Sequence, residues 1–176
     1  MSHSFKQFGK DLFEVLVAVL VAFLLYQGLA LVTGTPAPIV TVVSESMVHA
    51  NHFDAWWEHA GRNSFQLKKD VYAELGITKE QFLHFPFANG LYIGDLIIIT
   101  GPQNVRVGDV VTYVKEGSGI TIIHRVVAVQ DTAYIFRGDN NPVSDNPVPK
   151  DRVVGKARFV IPLLGFPRLL LFKFGI

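Results

Sequence analysis

The sequence has no cysteine among its 176 residues. Disulfide bonds, thiolate metal ligands and a cysteine nucleophile are therefore excluded, while the redox compartment stays open. Charged residues are also few, at 18%, and they nearly cancel to a formal net charge of +1. Because no basic stripe resembles a phosphate-binding surface, we expect no nucleic-acid partner.

Hydrophobic residues make up 49% of the chain, and one long apolar run stands near its start. The run covers 15–33 and has four interruptions, at Tyr26, Gln27, Gly28 and Thr33. Its length suits a helix crossing about 30 Å of hydrocarbon, and its Leu, Val and Phe residues favour insertion by about 4 to 7 kcal/mol. We therefore predict a transmembrane anchor over 12–33, preceded by a short polar segment, 1–11.

Lysines at positions 6 and 10 precede the anchor, which predicts a single-pass protein of the cell membrane with segment 1–11 in the cytoplasm. The bias is small, because Arg62, Lys68 and Lys69 follow the span. A cleaved secretory signal is the alternative, since 27–30 offers small residues for cleavage. The apolar core of such a signal usually spans only about 7 to 15 residues.

Beyond the anchor, a Thr-Pro-Ala-Pro spacer leads into short β-branched runs separated by Gly-Asp, Gly-Pro and Gly-Ser-Gly turns. The predicted strands after residue 90 are 94–100, 107–114, 120–129, 133–136 and 151–158. We expect a mainly β fold, a barrel or sandwich, forming an extracytoplasmic domain over 34–159. The remaining 160–176 is apolar but broken by prolines, so we predict a tail that lies on the membrane.

Residues 48–90 differ from the rest of this domain and are predicted to form an inserted subdomain. They are rich in aromatic residues and contain two helix-like pieces, 54–59 and one that opens with a capping box at Thr78 and Gln81. The aromatic side chains are expected to form the small core of the insertion. As an alternative, Trp56-Trp57 rests at the membrane interface.

The insertion also carries five residues of metal-ligand type: His49, His52, Asp54, Glu58 and His59. Their spacing matches no established ligand pattern, so we expect a solvated helix face and no metal. A calcium loop over 138–149 is excluded as well, because its ligand pattern lacks the required glycine.

A β-like run over 40–47 ends in Ser44-Glu45-Ser46-Met47, close to the membrane. A serine attacks a carbonyl only if a fixed neighbour takes its proton, and His124 is the one histidine after residue 90. Asp139 and Asp145 follow in a polar loop, which gives the order serine, histidine, aspartate. Taken singly, each motif is more often a turn or a satisfied strand histidine.

Together with the anchor, Ser-x-Ser-Met, Gly-Asp-Val-Val-Thr-Tyr, Ile-His-Arg-Val and Arg-Gly-Asp-Asn-Asn resemble the type I signal peptidases of the endoplasmic-reticulum and archaeal kind. In that kind a histidine replaces the bacterial lysine; here the lysine nearest to His124 in sequence is Lys115. The resemblance covers the anchor, 40–47 and 91–167. The insertion is similar to the long insertion of some archaeal members, which favours an archaeal protein.

The resemblance implies Ser46 as nucleophile and His124 as general base, with an oxyanion hole made by the Ser44 hydroxyl and the Ser46 backbone N–H. It implies both aspartates as site residues. We favour Asp145 as the partner of His124, with Asp139 shaping its loop in a turn where a carboxylate often bonds its own backbone.

The implied substrate is the cleavage region of a secretory signal peptide, bound extended as an added strand, with small side chains at the first and third positions before the cut. The implied partners are the lipid bilayer and the protein-export translocon, and no cofactor is implied.

One rival function is that of a related peptidase of the same fold, such as a self-cleaving repressor or a prepilin-like processing enzyme. The other is a non-catalytic membrane-tethered β domain that presents the aromatic insertion to a partner.

Overall fold

The computed structural model describes residues 2–60 and 63–173, and it begins with one long helix, α1 (Ser2–Thr33). The part Lys6–Thr33 is long and apolar enough to cross a membrane, and none of its most apolar window is buried against the rest of the protein. Most of the predicted polar segment 1–11 is thus the first turns of the same helix, while residue 1 lies outside the described part.

The connection from α1 to the β domain is fixed by hydrogen bonds at both ends. Gly34 adopts a φ of +66°, a left-handed conformation that suits glycine and ends the helix. The backbone N–H of Gly101 donates to the carbonyl of Thr33 at 2.7 Å, and the Thr35 hydroxyl donates to the carbonyl of Val154 at 2.9 Å. The predicted spacer is therefore attached to the sheet.

The β domain is built on one antiparallel sheet of seven strands in the order β1-β2-β7-β3-β4-β5-β6. The strands are β1 (Ile39–Thr41), β2 (Leu96–Thr100), β3 (Val110–Val114), β4 (Thr121–Val129), β5 (Ala133–Arg137), β6 (Val148–Pro149) and β7 (Val153–Ile161). The mainly β prediction is confirmed, since every predicted run overlaps a strand. A 3₁₀ turn, Lys150–Arg152, precedes β7.

Two strand predictions were wrong in extent. Strand β1 ends at Thr41; Val42 still bonds the backbone of Gly94 and Asp95 before the chain turns over 44–47. Strand β7 continues to Ile161, because Val160 and Ile161 pair with β2. The first two residues of the predicted tail therefore belong to the sheet.

The insertion folds as three short helices, α2 (Phe53–Trp57), α3 (Lys68–Glu74) and α4 (Lys79–Leu83). The predicted capping box at Thr78 and Gln81 is confirmed. Buried aromatic rings form its core and pack on Val127 of β4; they are Phe53, Trp56, Trp57, Tyr72 and Phe82. Trp56 and Trp57 are 3% and 4% exposed, which supports the predicted core and not the interfacial alternative.

After β7 the chain turns into α5 (Phe166–Lys173), and residues 174–176 of the predicted tail lie outside the described part. The start of α5 packs on the domain: the N–H of Gly165 donates to the carbonyl of Gly94 at 2.8 Å, and the ring of Phe166 approaches Gly94. A run of apolar side chains nevertheless remains exposed, namely Phe159, Ile161, Leu163, Leu164, Phe166 and Leu170.

Candidate active site

Ser46 lies in the turn after β1, and its backbone is fixed on both sides. Met47, the next residue, is completely buried in the core, and its carbonyl accepts from the N–H of Leu91 at 2.9 Å. The carbonyl of Ser46 itself accepts from the N–H of Asn140 at 2.7 Å. A half-buried serine is thus presented on a well-anchored turn.

The Ser44 and Ser46 hydroxyls face each other, with their Oγ atoms 3.2 Å apart. Ser44 is exposed, so both hydroxyls are accessible from the same side of the turn. The roles predicted for them, nucleophile for Ser46 and oxyanion donor for Ser44, stay predictions.

His124 lies in the middle of β4, opposite Val111 of β3, and only 6% of its side chain is exposed. Its Nδ1 is 2.6 Å from Oδ2 of Asp145. Because an ionised carboxylate only accepts hydrogen bonds, Nδ1 is the donor, and the neutral ring keeps an unprotonated Nε2. This is the tautomer that a general base needs.

Asp145 is held in place by more than the histidine. Its backbone N–H donates to the carbonyl of Phe136 at 2.8 Å, and the Tyr113 hydroxyl donates to its Oδ2 at 2.8 Å. Burial, followed by the bond to Asp145, raises the pKa of Tyr113, so the phenol stays protonated as a donor. A cleft of about 430 Å³ lies beside these residues, and 25% of the Asp145 side chain remains exposed.

Gly138, at the start of the polar loop, lies close to the other ring nitrogen of the histidine, Nε2. A Cβ at this position would lie 2.8 Å from Nε2 of His124 and 2.7 Å from Nδ2 of Asn141. Only glycine therefore leaves Nε2 open at this face. Across the described residues, no hydrogen bond joins Ser46 Oγ to Nε2 of His124; the hydroxyl partner of Ser46 is Ser44.

The structure does not bring Asp139 to His124. Its carboxylate is completely buried and bonded by Arg125, whose Nη2 donates to Oδ2 at 2.7 Å and whose Nε donates to Oδ1 at 2.9 Å. His49 Nε2 and the Tyr72 hydroxyl also donate to it, at 2.9 and 2.8 Å. The expectation that Asp139 bonds its own backbone was wrong, because a buried guanidinium beside it needs a counter-charge.

The electrostatics of this buried pair favour the charged forms. Burial by itself would raise the pKa of Asp139, but the Arg125 guanidinium and the bonds from His49 and Arg125 outweigh it and hold that pKa well below its usual range. Burial would likewise lower the pKa of Arg125, and the Asp139 carboxylate more than offsets it. Both groups are therefore ionised at neutral pH.

Sequence reasoning missed Arg125, Tyr72 and Tyr113. A signal for Arg125 was present: a charged residue between His124 and Val126 of a buried strand requires a buried acid. Four of the five histidines and acids considered as metal ligands have other partners. Of these, His49 bonds Asp139, Glu58 bonds Lys69, Asp54 bonds Lys79 and His59 bonds the carbonyl of Ala55.

Ser46 on its turn, and His124 bonded through Nδ1 to the Asp145 carboxylate, are residue types that a serine hydrolase uses, which makes this the candidate active site. Comparison with known proteins specifies this class further. The chain is 27% identical over 165 residues to the human, dog and mouse signal peptidase complex catalytic subunit SEC11C, a match that covers 85% of this chain. It spans just under two thirds, 65%, of the length of those mammalian relatives.

Fungal relatives extend the match. Signal peptidase complex catalytic subunit SEC11 of Colletotrichum graminicola is 26% identical over 181 residues, covering 96% of this chain and 84% of the fungal protein. The Schizophyllum commune SEC11 subunit is 23% identical over 181 residues, covering 86% of this chain and 73% of its own length. A scan against protein-family models found no match.

The chain is thus a homologue of the SEC11 catalytic subunits, which are type I signal peptidases of the endoplasmic-reticulum kind. The resemblance drawn from the motifs is confirmed. The assignment to an archaeal member stays a prediction.

Proposed function

We propose that this chain is a membrane-anchored serine endopeptidase that removes signal peptides from secretory preproteins. The observation that carries the proposal is the His124 to Asp145 bond of 2.6 Å, in a chain homologous to signal peptidase catalytic subunits. The rival of a non-catalytic domain presenting its aromatic insertion fits less well. Of the described aromatic residues in that insertion, Phe65 alone is exposed, while the others are buried or half-buried.

In the proposed reaction, Nε2 of His124 takes the proton of the Ser46 hydroxyl as Oγ attacks the scissile carbonyl. Asp145 holds the imidazole in the correct tautomer and stabilises the imidazolium that forms. The Ser44 hydroxyl and the Ser46 N–H donate to the oxyanion. His124 then gives its proton to the leaving amine, and a water activated by the same nitrogen hydrolyses the acyl-enzyme.

The substrate is proposed to bind as an extended strand beside β1. Strand β1 is the end strand of the sheet and leads directly into Ser44, so its outer backbone groups are placed to pair with a peptide. Main-chain bonds would supply affinity, and side-chain pockets would restrict the residues before the cut to small ones.

Membrane attachment is proposed to place this site where signal peptides emerge. Helix α1 supplies a span, and Lys6 and Lys10 favour a cytoplasmic N-terminus, with the site on the outer side of the cell membrane. The exposed apolar run from Phe159 to Leu170 is proposed to rest on the bilayer. The protein-export translocon is the proposed neighbour that delivers the substrate.

The decisive experiment compares the purified chain in detergent with its Ser46→Ala variant on a secretory preprotein. We expect cleavage after a small residue by the wild type and none by the variant, with equal melting temperatures, because only one hydroxyl is removed. Ser64→Ala, at a half-buried serine of the insertion, is the matched control and should cleave normally. Full cleavage by Ser46→Ala would remove Ser46 as the nucleophile.

A further inference from the structure

The insertion begins and ends beside the proposed nucleophile. Residue 48 follows Met47 directly, and the chain returns at Leu91, whose N–H donates to the carbonyl of Met47 at 2.9 Å. Gly90 adopts a φ of +81° here, and a Cβ on it would lie 2.7 Å from the same carbonyl. The insertion is therefore joined to the turn that carries Ser46 at both of its ends.

Three polar side chains of the insertion point inward and bond a single residue of the polar loop, Asp139. His49 and Tyr72 donate to its carboxylate, and the ammonium of Lys68 donates to its backbone carbonyl. All three are 1% exposed or less. With Arg125 they form what we call the Asp139 clamp: His49, Lys68, Tyr72 and Arg125.

The clamp lies in a dry, aromatic environment. The ring of Trp56 stacks on His49 at 3.6 Å between centroids, and the Arg125 guanidinium lies 4.6 Å from the centre of Phe82. In such surroundings a bond to a charged group is stronger than in water, and its geometry is more narrowly defined. The aromatic core of the insertion thus excludes water from the ion pair of Asp139.

The loop residues on either side of Asp139 contact the proposed nucleophile and base. Gly138 lies against Nε2 of His124, and the N–H of Asn140 donates to the carbonyl of Ser46 at 2.7 Å. The side-chain amide of Asn140 donates to the carbonyl of Glu45 at 3.2 Å. A displacement of Asp139 therefore shifts its two neighbours, and with them the separation of Ser46 from His124.

We propose that His49, Lys68 and Tyr72 are positioning residues, through which the insertion fixes the polar loop and sets the distance between Ser46 and His124. The proposal rests on the proposed function. It gives the insertion a role in holding the proposed catalytic residues of its own chain in place. The residues touch neither substrate nor the reacting atoms, so their effect passes through Asp139.

Tyr72→Phe is the variant that tests this with least disturbance, because it removes the hydroxyl and keeps the ring that packs on Trp57 and Phe82. Its matched control is Tyr134→Phe, at a buried tyrosine of β5 in another part of the core. Lys68→Met and Lys69→Met, at the half-buried neighbour that bonds Glu58, form a second pair on α3. All variants are compared as full chains in detergent.

For Tyr72→Phe and Lys68→Met we expect kcat to fall by about 10- to 100-fold, the scale for a small misplacement of reacting groups, with KM changed less than twofold. The double variant should lose less than the product of the single losses, because both act through Asp139. Both controls should keep wild-type kcat. A lower melting temperature with unchanged kcat in Tyr72→Phe would overturn the proposal, because it would assign the clamp to stability alone.

Hydrogen exchange gives a readout that needs no activity. The amides of Asn140 and Asn141 should exchange faster in Tyr72→Phe than in wild type, while the strands exchange alike. Unchanged exchange at these amides would overturn the proposed positioning role of the clamp, even if the wild type cleaves preproteins. Conversely, if the wild type cleaves nothing but Tyr72→Phe still exchanges these amides faster than wild type, the result would support the clamp and refute the proposed function. The two failures are therefore distinguishable.

Discussion

The two aspartates of the polar loop bond to adjacent residues of β4, Asp145 to His124 at 2.6 Å and Asp139 to Arg125 at 2.7 Å. Neighbouring residues of a strand point to opposite faces of the sheet. The loop therefore divides its carboxylates between the two faces, one beside the proposed base and the other in the buried clamp. Substitution of the two aspartates is therefore expected to have different effects.

Replacing Asp145 by asparagine should reduce kcat by up to about 10⁴-fold with little change in KM, because an amide no longer fixes the tautomer of His124 or stabilises its charged form. The melting temperature should change little, since the side chain is partly exposed. Steady-state kinetics and thermal melts check this, with the exposed Asp151→Asn as control. A wild-type kcat would exclude Asp145 as the orienting residue.

Replacing Asp139 by asparagine should instead destabilise the fold, by about 3 to 5 kcal/mol, because it leaves the fully buried Arg125 without its counter-charge. Any activity that remains should fall with the population of folded protein and with disorder of the loop. Chemical unfolding in detergent measures the loss. A stability equal to wild type would mean that Arg125 finds another partner.

Removing the Ser44 hydroxyl by Ser44→Ala should lower kcat by about 10²-fold or more if it donates to the oxyanion. The hydroxyl lies 3.2 Å from that of Ser46 and is exposed, so its loss should not affect folding. Kinetics on a peptide substrate distinguish a role in oxyanion stabilisation from a role in substrate binding. An effect confined to KM would assign Ser44 to substrate binding.

Adding one methyl group at Gly138 should impair catalysis although it removes no polar group. The new Cβ would lie 2.8 Å from Nε2 of His124, closer than carbon and nitrogen approach without a shift of the ring. We expect Gly138→Ala to lose at least tenfold in kcat, on the scale set by misplaced reacting groups. Gly9→Ala, where a Cβ meets nothing within 4 Å, is the control and should behave as wild type.

Lys68 should make stability depend on alkaline pH. Burial, then the Arg137 charge, lowers its pKa from 10.5 to about 8, although Asp139 opposes the shift. Between these two pH values the unfolded chain binds a proton that the folded chain has released, so folding stability rises with pH, by at most about 1.4 kcal/mol per pH unit. Below pH 8 both states are protonated and the contribution is constant.

The measurement is the melting temperature of wild type relative to Lys68→Met between pH 7 and pH 10. The difference should rise above about pH 8, in line with the lowered pKa of Lys68. In the control pair with Lys69→Met no such rise is expected, because the bond to Glu58 raises the pKa of Lys69. If the melting-temperature difference between wild type and Lys68→Met does not change with pH, the Lys68 charge is as stable in the fold as in water.

The sequence by itself determined the features that depend on local pattern. The length of the apolar run predicts α1, the β-branched runs between glycine turns predict the strands, and the Thr78 and Gln81 pair predicts the start of α4. Residue type and order were also enough to select the Ser44 and Ser46 pair, His124 and two candidate aspartates. The choice of Ser46 as nucleophile came from the resemblance to the type I signal peptidases.

The tertiary structure alone decided which aspartate meets which partner. Asp139 and Asp145 lie six positions apart in one polar loop, and either is near enough in sequence to return to β4. Asp139 is taken by Arg125, His49 and Tyr72, the last two separated from it by 90 and 67 residues. Contacts over such separations depend on how the insertion packs on the sheet, because a buried guanidinium must find its counter-charge wherever the fold provides one.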